Sequence, residues 1–418
     1  MLRGRALASL VLIAACWLSS GSAPLTDAVA GARDPADFVR DYVTARARLE
    51  DGRGAPPVGD EGNARAERLG APRAELLGGP YYIHPPPALL PVLPLALLPW
   101  HAAALAWALL SLAALVWLAW SLACLWAPEA PPAAWRFGGL AALLPLWPPA
   151  LHCLEKGQWS IGLAALLAAG YRALERERPA RAGALFAAAA SVKATPVVLL
   201  GLLAARDRRA AAVMALGVAA LAACATAVGG SAPWRAFFAD APHDIVVWAT
   251  WLANTVSLQG VFARLWSAGP YTRPLADAPA LSRLAFLATG GVLLAAAVAV
   301  GVRRRRAGGL DACGAAAWMA LPVLLNPLGW THVAVMLLVP LTIALRDGGP
   351  RTRAVAVLAL AALSVPRQSL IAWSGPMPIA PVPGLLLGLH AFAALALYLA
   401  LLADGGGKSS LPPGRAYQ

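Results

Sequence analysis

Charge is scarce in this sequence. Only 13% of the 418 residues are Asp, Glu, Lys or Arg, against 59% hydrophobic, which leaves too little polar side chain to clothe a soluble globule of this length. Lysine is nearly missing, since Lys156, Lys193 and Lys408 are the only lysines among 34 basic residues. Cysteine is sparse as well. The five, Cys16, Cys124, Cys153, Cys224 and Cys313, are odd in number, lie in or beside apolar runs, and have no metal-like spacing. They read as small packing residues. Long polar stretches are absent except at 22–85.

What fills the chain instead is a succession of apolar runs of about 14 to 25 residues, the signature of an all-α polytopic membrane protein. The formal charge of +13 sits in short arginine clusters between these runs, as orientation signals would, so membrane topology accounts for it and nucleic acid is not an expected partner. The bias to Ala, Arg, Gly and Pro is that of a GC-rich bacterial gene, which points to a bacterial inner membrane.

Taken in order, residues 6–18 follow Arg3 and Arg5 and precede the small residues Gly21, Ser22 and Ala23, which reads as a signal peptide, cleaved or retained. Either way, residues 22–85 form a first outer loop. Residues 88–99, broken by Pro91 and Pro94, suit a re-entrant or interfacial turn better than a span. Residues 102–126 are long enough to cross. Residues 182–205 lie between basic clusters at 172–181 and 206–209, and a single crossing would strand one of them outside. Two half-length helices with Lys193 at the tip are therefore expected, with a single span as the alternative. With the later runs, roughly eleven membrane segments form one transmembrane domain over 1–403, followed by a polar tail at 404–418.

The most informative polar segment is Asp34-Pro35-Ala36-Asp37-Phe38-Val39-Arg40-Asp41-Tyr42. Asp34 and Pro35 read as a helix N-cap and first-turn proline, and Phe38, Tyr42, Ala45 and Leu49 fall on one stripe. A short amphipathic helix lying on the membrane surface is predicted. Asp37 and Asp41, four residues apart on the adjoining face, are held together as an acid/base pair. Under the topology above, Asp37, Asp41, His84, Glu155, Lys156, Gln158, Lys193, Asn254, Gln259, Arg264 and His332 collect at the outer boundary. Polar groups are costly beside hydrocarbon, so their convergence marks a site.

Asp37-Phe38 with Tyr42, Tyr82-Ile83-His84-Pro85-Pro86, Gly157-Gln158, Ser191-Val192-Lys193-Ala194-Thr195-Pro196, Asn254-Thr255-Val256-Ser257-Leu258 and Asn326-Pro327-Leu328-Gly329-Trp330, in this order and spacing, resemble glycosyltransferase family 87. The likeness runs from about residue 30 to 345. These are GT-C fold enzymes that use a polyprenyl-phosphate sugar, commonly mannose. His84 and Val256 depart from the family pattern, which often has Tyr and Gln there.

The resemblance implies an inverting hexosyltransferase whose partners are the polyprenyl-phosphate sugar donor, a lipid or glycan acceptor, and membrane lipids. No cofactor is implied, and a divalent metal requirement is left open. Asp37 would be the general base and Asp41 its catalytic neighbour. Lys193, His84 and Arg264 would hold the donor phosphate. Tyr82, Gln158, Asn254, Ser257, Gln259, Asn326 and His332 would line the substrate. The rival readings are a transporter, for which no internal repeat is found, a non-catalytic scaffold, and a GT-C transferase of arabinofuranose or glucose. Each residue has a bland rival too: a surface acid for Asp37, a snorkelling amine for Lys193, an interfacial ring for His84, a lipid contact for Arg264, and helix caps for Asn326 and His332.

Overall fold

The computed structural model describes residues 35–52, 59–72, 84–127, 134–240, 255–269, 272–307, 309–375 and 379–404. The first apolar run, Asp34, Tyr82, Asn254 and the tail from 405 lie outside the described residues. Among the described residues the regular structure is helical, with one isolated bridge between Thr272 and Ile379. Trp100–Trp126, Arg208–Gly229, Pro279–Arg306 and Leu385–Ala403 are long and apolar enough to cross a membrane, and two bent pairs raise the number from 4 to 6. The chain is a polytopic all-α membrane protein.

The difference from the expected eleven segments lies in short helices. Thr195–Arg206 and Ala312–Leu324 are apolar but under 18 residues, and Ser160–Glu175 and Pro179–Val192 are buried among other helices. The two bent pairs have proline at their breaks. Ala134–Leu146 meets Pro148–Lys156 at 64° beside Pro148 and Pro149, and Pro350–Leu363 meets Arg367–Ser374 at 82° beside Pro366. Trp147, at the first bend, donates its indole N–H to Ser364 Oγ, at the second, over 2.9 Å. The bends thus brace each other.

The central core is built from alanine-rich helices packed without bulky spacers. Gly201 lies so close to the Trp318 ring that a Cβ would come within 2.2 Å of it. Small residues at such crossings let backbones approach, which is where van der Waals packing in a membrane is gained.

The opening helix, Ala36–Asp51, departs from the surface helix expected of it. Its N-cap is Pro35, without a side-chain cap, and Gly52 ends it in the left-handed region at φ 64°. Phe38, Val39, Tyr42, Val43 and Ala45 are buried, and so are Asp37, Arg40, Asp41 and Thr44. Leu49 alone of the apolar stripe is exposed. The stripe is real, but protein rather than lipid covers it. Phe38 stacks on Trp107 with centroids 4.6 Å apart and on Trp100 at 5.9 Å. Tyr42 meets Trp100 edge-on at 5.3 Å and donates to the Leu98 carbonyl over 2.8 Å.

Both tryptophans belong to the first turns of Trp100–Trp126, a helix of 27 residues and therefore about 40 Å long. At its other end the Leu125 carbonyl accepts from Arg346, which also pairs with Glu175 and Asp347. Close by in kind, Arg304 pairs with Asp311 and donates to the carbonyls of Leu402 and Asp404. Arg206 donates to the Leu174 carbonyl over 3.4 Å, so the segment that leaves the helix Ser160–Glu175 returns beside it. Residues 179–206 are thus a hairpin broken at Lys193, as the arginine clusters require.

Arg346→Met should cost about 3–5 kcal/mol, because it strands the Glu175 carboxylate, only 8% exposed, without its cation. Thermal unfolding in detergent measures this, with the exposed Arg351→Met as a control that should leave the melting temperature in place.

Candidate active site

The opening helix reaches the bundle through a glycine. Gly157 caps the helix Pro148–Lys156 at φ 67°, and a Cβ there would lie 2.5 Å from Pro35 Cβ and 3.1 Å from Phe38 Cβ. Its carbonyl accepts from the Trp107 indole over 3.0 Å. Positive φ and close approach both call for glycine here. The two residues that follow it, Gln158 and Trp159, then meet the two aspartates.

Asp37 and Asp41 share one helix face, as their spacing predicts, yet their surroundings differ. Gln158 Nε2 donates to Asp37 Oδ2, while Asp37 Oδ1 is buried without a hydrogen-bond partner among the described residues. Asp41 has both oxygens engaged: Oδ1 with His84 Nδ1 at 3.1 Å and Oδ2 with the Trp159 indole at 2.9 Å. Burial pushes the Asp41 carboxyl up, but His84 by charge and hydrogen bond, the Trp159 bond and the Arg40 charge together hold it below the usual carboxylate range.

Lys193 faces this pair from the break in the hairpin. It is half-buried in extended backbone after the helix Pro179–Val192, ahead of the turn Thr195–Val198, and the charges of Asp37 and Asp41 act on its ammonium. The Lys193 charge also acts on His332, buried in a seven-residue 3-10 segment, Thr331–Leu337. Runs of that type beyond three or four residues are uncommon and often mark a functional or strained stretch. The charges of Lys193, His152, His84 and Lys156 all act on the His332 ring, whose centroid is 5.8 Å from that of His152. Glu155 binds Lys156 at 2.7 Å and His152 at 3.3 Å.

Asp37, Asp41, His84, Gln158, Lys193 and His332 are thus gathered at one end of the bundle. Arg264 is not among the charges acting on Lys193; its own acts on His390. Ser257, Gln259 and Asn326 are engaged within the fold. Ser257 caps the helix Leu258–Trp266 through Gly260 N and donates to the Pro327 carbonyl, Gln259 donates to Ser282 Oγ over 3.0 Å, and Asn326 Oδ1 accepts from Leu328 N over 3.1 Å. The last closes a turn two residues long and is not the helix cap weighed for Asn326, since the helix before it is capped at Leu325 and the next segment begins at Thr331. Sequence reasoning missed Trp159 and His152. The signal for Trp159 was its place next to Gln158, in a turn where an indole N–H must find an acceptor when buried. Among the described residues no three His, Cys, Asp or Glu side chains come together as a metal ion would need.

A family model described as glycosyltransferase family 87 matches residues 82–327, more than half of the chain. The chain belongs to glycosyltransferase family 87. As a family 87 member it is a membrane glycosyltransferase. The matched span carries His84, Gln158, Lys193 and Arg264, whereas Asp37 and Asp41 precede it and His332 follows it. No curated protein and no solved structure matches the chain.

Gly157→Ala should lower stability by about 1–2 kcal/mol from left-handed strain alone and undock the opening helix, so that limited proteolysis cuts near residue 52. Gly162→Ala, with nothing within 4 Å, should leave the pattern unchanged. Because the Asp41 carboxyl is depressed in the fold, its stabilisation is fully present above the ordinary aspartate value of about 3.9 and is lost as pH falls through the folded value. Trp159 fluorescence should accordingly hold steady down to about pH 4 and change below it, and Asp41→Asn should remove that acid transition.

Proposed function

We propose that this family 87 enzyme moves a hexose, in first place mannose, from a polyprenyl-phosphate donor to a hydroxyl of a lipid or glycan acceptor. The site would lie at the outer face of a bacterial inner membrane, with the arginine-rich end of the bundle in the cytoplasm. The observation that supports this reading is that Asp37 and Lys193, 156 positions apart in sequence, come near enough for the charge of one to act on the other, at the end of the bundle opposite the arginines.

The chemistry follows from the groups present. A polyprenyl-phosphate sugar already carries a stable leaving group, so the protein must deprotonate the attacking hydroxyl and hold the phosphate. Asp37 has a carboxylate oxygen without a partner among the described residues and takes the acceptor proton. The acceptor oxygen bonds the anomeric carbon as the bond from that carbon to phosphate oxygen breaks, its electron pair leaving with the phosphate. One direct displacement inverts the anomeric centre. Lys193 and His84 face the phosphate, where fixed cations in a poorly hydrated site are strong. Gln158 orients Asp37, and His332 borders the sugar or acceptor. A transporter would place its polar groups near the midplane, whereas here they gather beside the first turns of Trp100–Trp126.

Asp37→Asn should lower transfer by about 10²–10⁴-fold with the protein still inserted and folded. Radiolabelled polyprenyl-phosphate mannose assayed against extracted lipid and glycan acceptors measures it. Full transfer by that variant would remove Asp37 from the role, and transfer of another sugar in its place would reassign the donor. Lys193→Met should raise the donor KM, as loss of a phosphate contact does.

A further inference from the structure

Two carboxylates at helical spacing invite the reading of a shared acid/base centre, but Asp41 has no oxygen left unengaged. His84 and Trp159 each take one, and Asp41 and His84 are only 3% and 5% exposed. An ionised carboxylate can only accept, so the proton between Asp41 and His84 belongs to the imidazole Nδ1. That fixes the ring: its second nitrogen, Nε2, is the one turned to other partners, and it carries a hydrogen only when the ring is protonated. Trp159 prevents Asp41 from rotating away. The indole N–H holds Oδ2, its ring stands edge-on to the His84 ring with centroids 6.5 Å apart, and it packs on Trp107 at 4.5 Å.

We propose that Asp41 is the positioning residue of His84, and that the ring held through this pair, when it carries a proton on both nitrogens, donates Nε2–H to the phosphate oxygen that leaves the sugar. This rests on the reading of the site as that of a polyprenyl-phosphate glycosyltransferase. During transfer the acceptor proton passes to Asp37 and the electron pair of the broken carbon–oxygen bond goes to the phosphate. His84 keeps its proton and hydrogen-bonds the oxygen on which the new charge appears. Because that charge is absent from the bound donor, the contact strengthens in the transition state and shows in kcat more than in KM. Asp41 and Asp37 thus divide the labour: Asp37 faces the acceptor, Asp41 the leaving group through His84.

The test uses the full chain purified in nanodiscs with polyprenyl-phosphate mannose as donor, together with nitrogen-15 histidine NMR of the same samples. His84→Gln should lower kcat by about 10²–10³-fold, the effect of losing one preorganised donor, with donor KM nearly unchanged. Asp41→Asn should lower kcat in the same sense, since an amide that accepts from one of His84 and Trp159 turns its NH2 on the other. In the spectra, the neutral form of the His84 ring should carry its proton on Nδ1 in the unsubstituted protein and lose that tautomer preference in Asp41→Asn. Trp159→Phe should give the smaller drop in kcat and keep Nδ1–H. Wild-type kcat in His84→Gln, or an unchanged His84 signal in Asp41→Asn, would overturn the pairing. Absence of mannose transfer by the unsubstituted protein would count against the donor reading instead, and the spectra would still decide the pair.

Discussion

Everything at the aspartate end depends on how one short helix docks. The helix Ala36–Asp51 is held by the face of Phe38 against Trp107 and Trp100 and by the gap left at Gly157. Aromatic stacking of this kind gives a specific angle as well as buried area. The gap sets the depth, since Pro35 and Phe38 reach in until they meet the Gly157 backbone. With angle and depth fixed, Asp37 falls on Gln158 and Asp41 on Trp159. Neither contact needs further machinery. Two consecutive residues after a left-handed glycine turn meet two residues one helical turn apart.

The opposite end solves a different problem. Arg346 ties the end of Trp100–Trp126 to Glu175 and Asp347, and Arg304 ties Asp311 to the last carbonyls of the helix Leu389–Ala403. Arginine suits this role because its planar fork serves several acceptors at once. Most of the length of the helix Trp100–Trp126 separates this clamp from the aspartates. The hairpin of residues 179–206 links the two ends in a single element: Arg206 anchors it beside Leu174, and its tip delivers Lys193 to the site. Anchoring at the arginine end therefore sets how far Lys193 reaches.

Much of this was legible in the sequence, and the reasons differ by element. The long spans at 100–126, 208–229, 279–306 and 385–403 follow from apolar length alone. The hairpin followed from charge bookkeeping, since two arginine clusters had to share a side. The meeting of Asp37, His84, Gln158 and Lys193 followed from the same bookkeeping. What the sequence could not reveal is what covers an apolar stripe. Phe38 and Tyr42 predict a partner equally well whether it is lipid or Trp100 and Trp107, and periodicity carries no information on the difference. Side-chain roles inside the fold were equally hidden. Gln259 and Ser257 look like polar intrusions near hydrocarbon, which marks function as a rule, yet each satisfies a partner in a neighbouring segment. A buried polar group must be hydrogen-bonded before it can be anything else.

The contrast between the two aspartates shows how one helix can hold two carboxylates in different surroundings. Spacing makes them equivalent, since both lie on one face and both are nearly buried. Environment separates them. Asp41 is surrounded by donors and is held ionised by His84, Trp159 and Arg40, which leaves it no proton to exchange in the neutral range. Among the described residues Asp37 has one side-chain donor, the uncharged Gln158 amide, and a second oxygen without a partner, and its charge acts on Lys193. A carboxylate with every oxygen satisfied is a fixed charge, and a carboxylate with one oxygen in reserve can receive a proton. Pairs whose environments differ in this way are where acid and base roles divide. In this protein the difference in surroundings is made by two adjacent residues of one turn, Gln158 and Trp159, and by His84 coming in from the segment before the first long span.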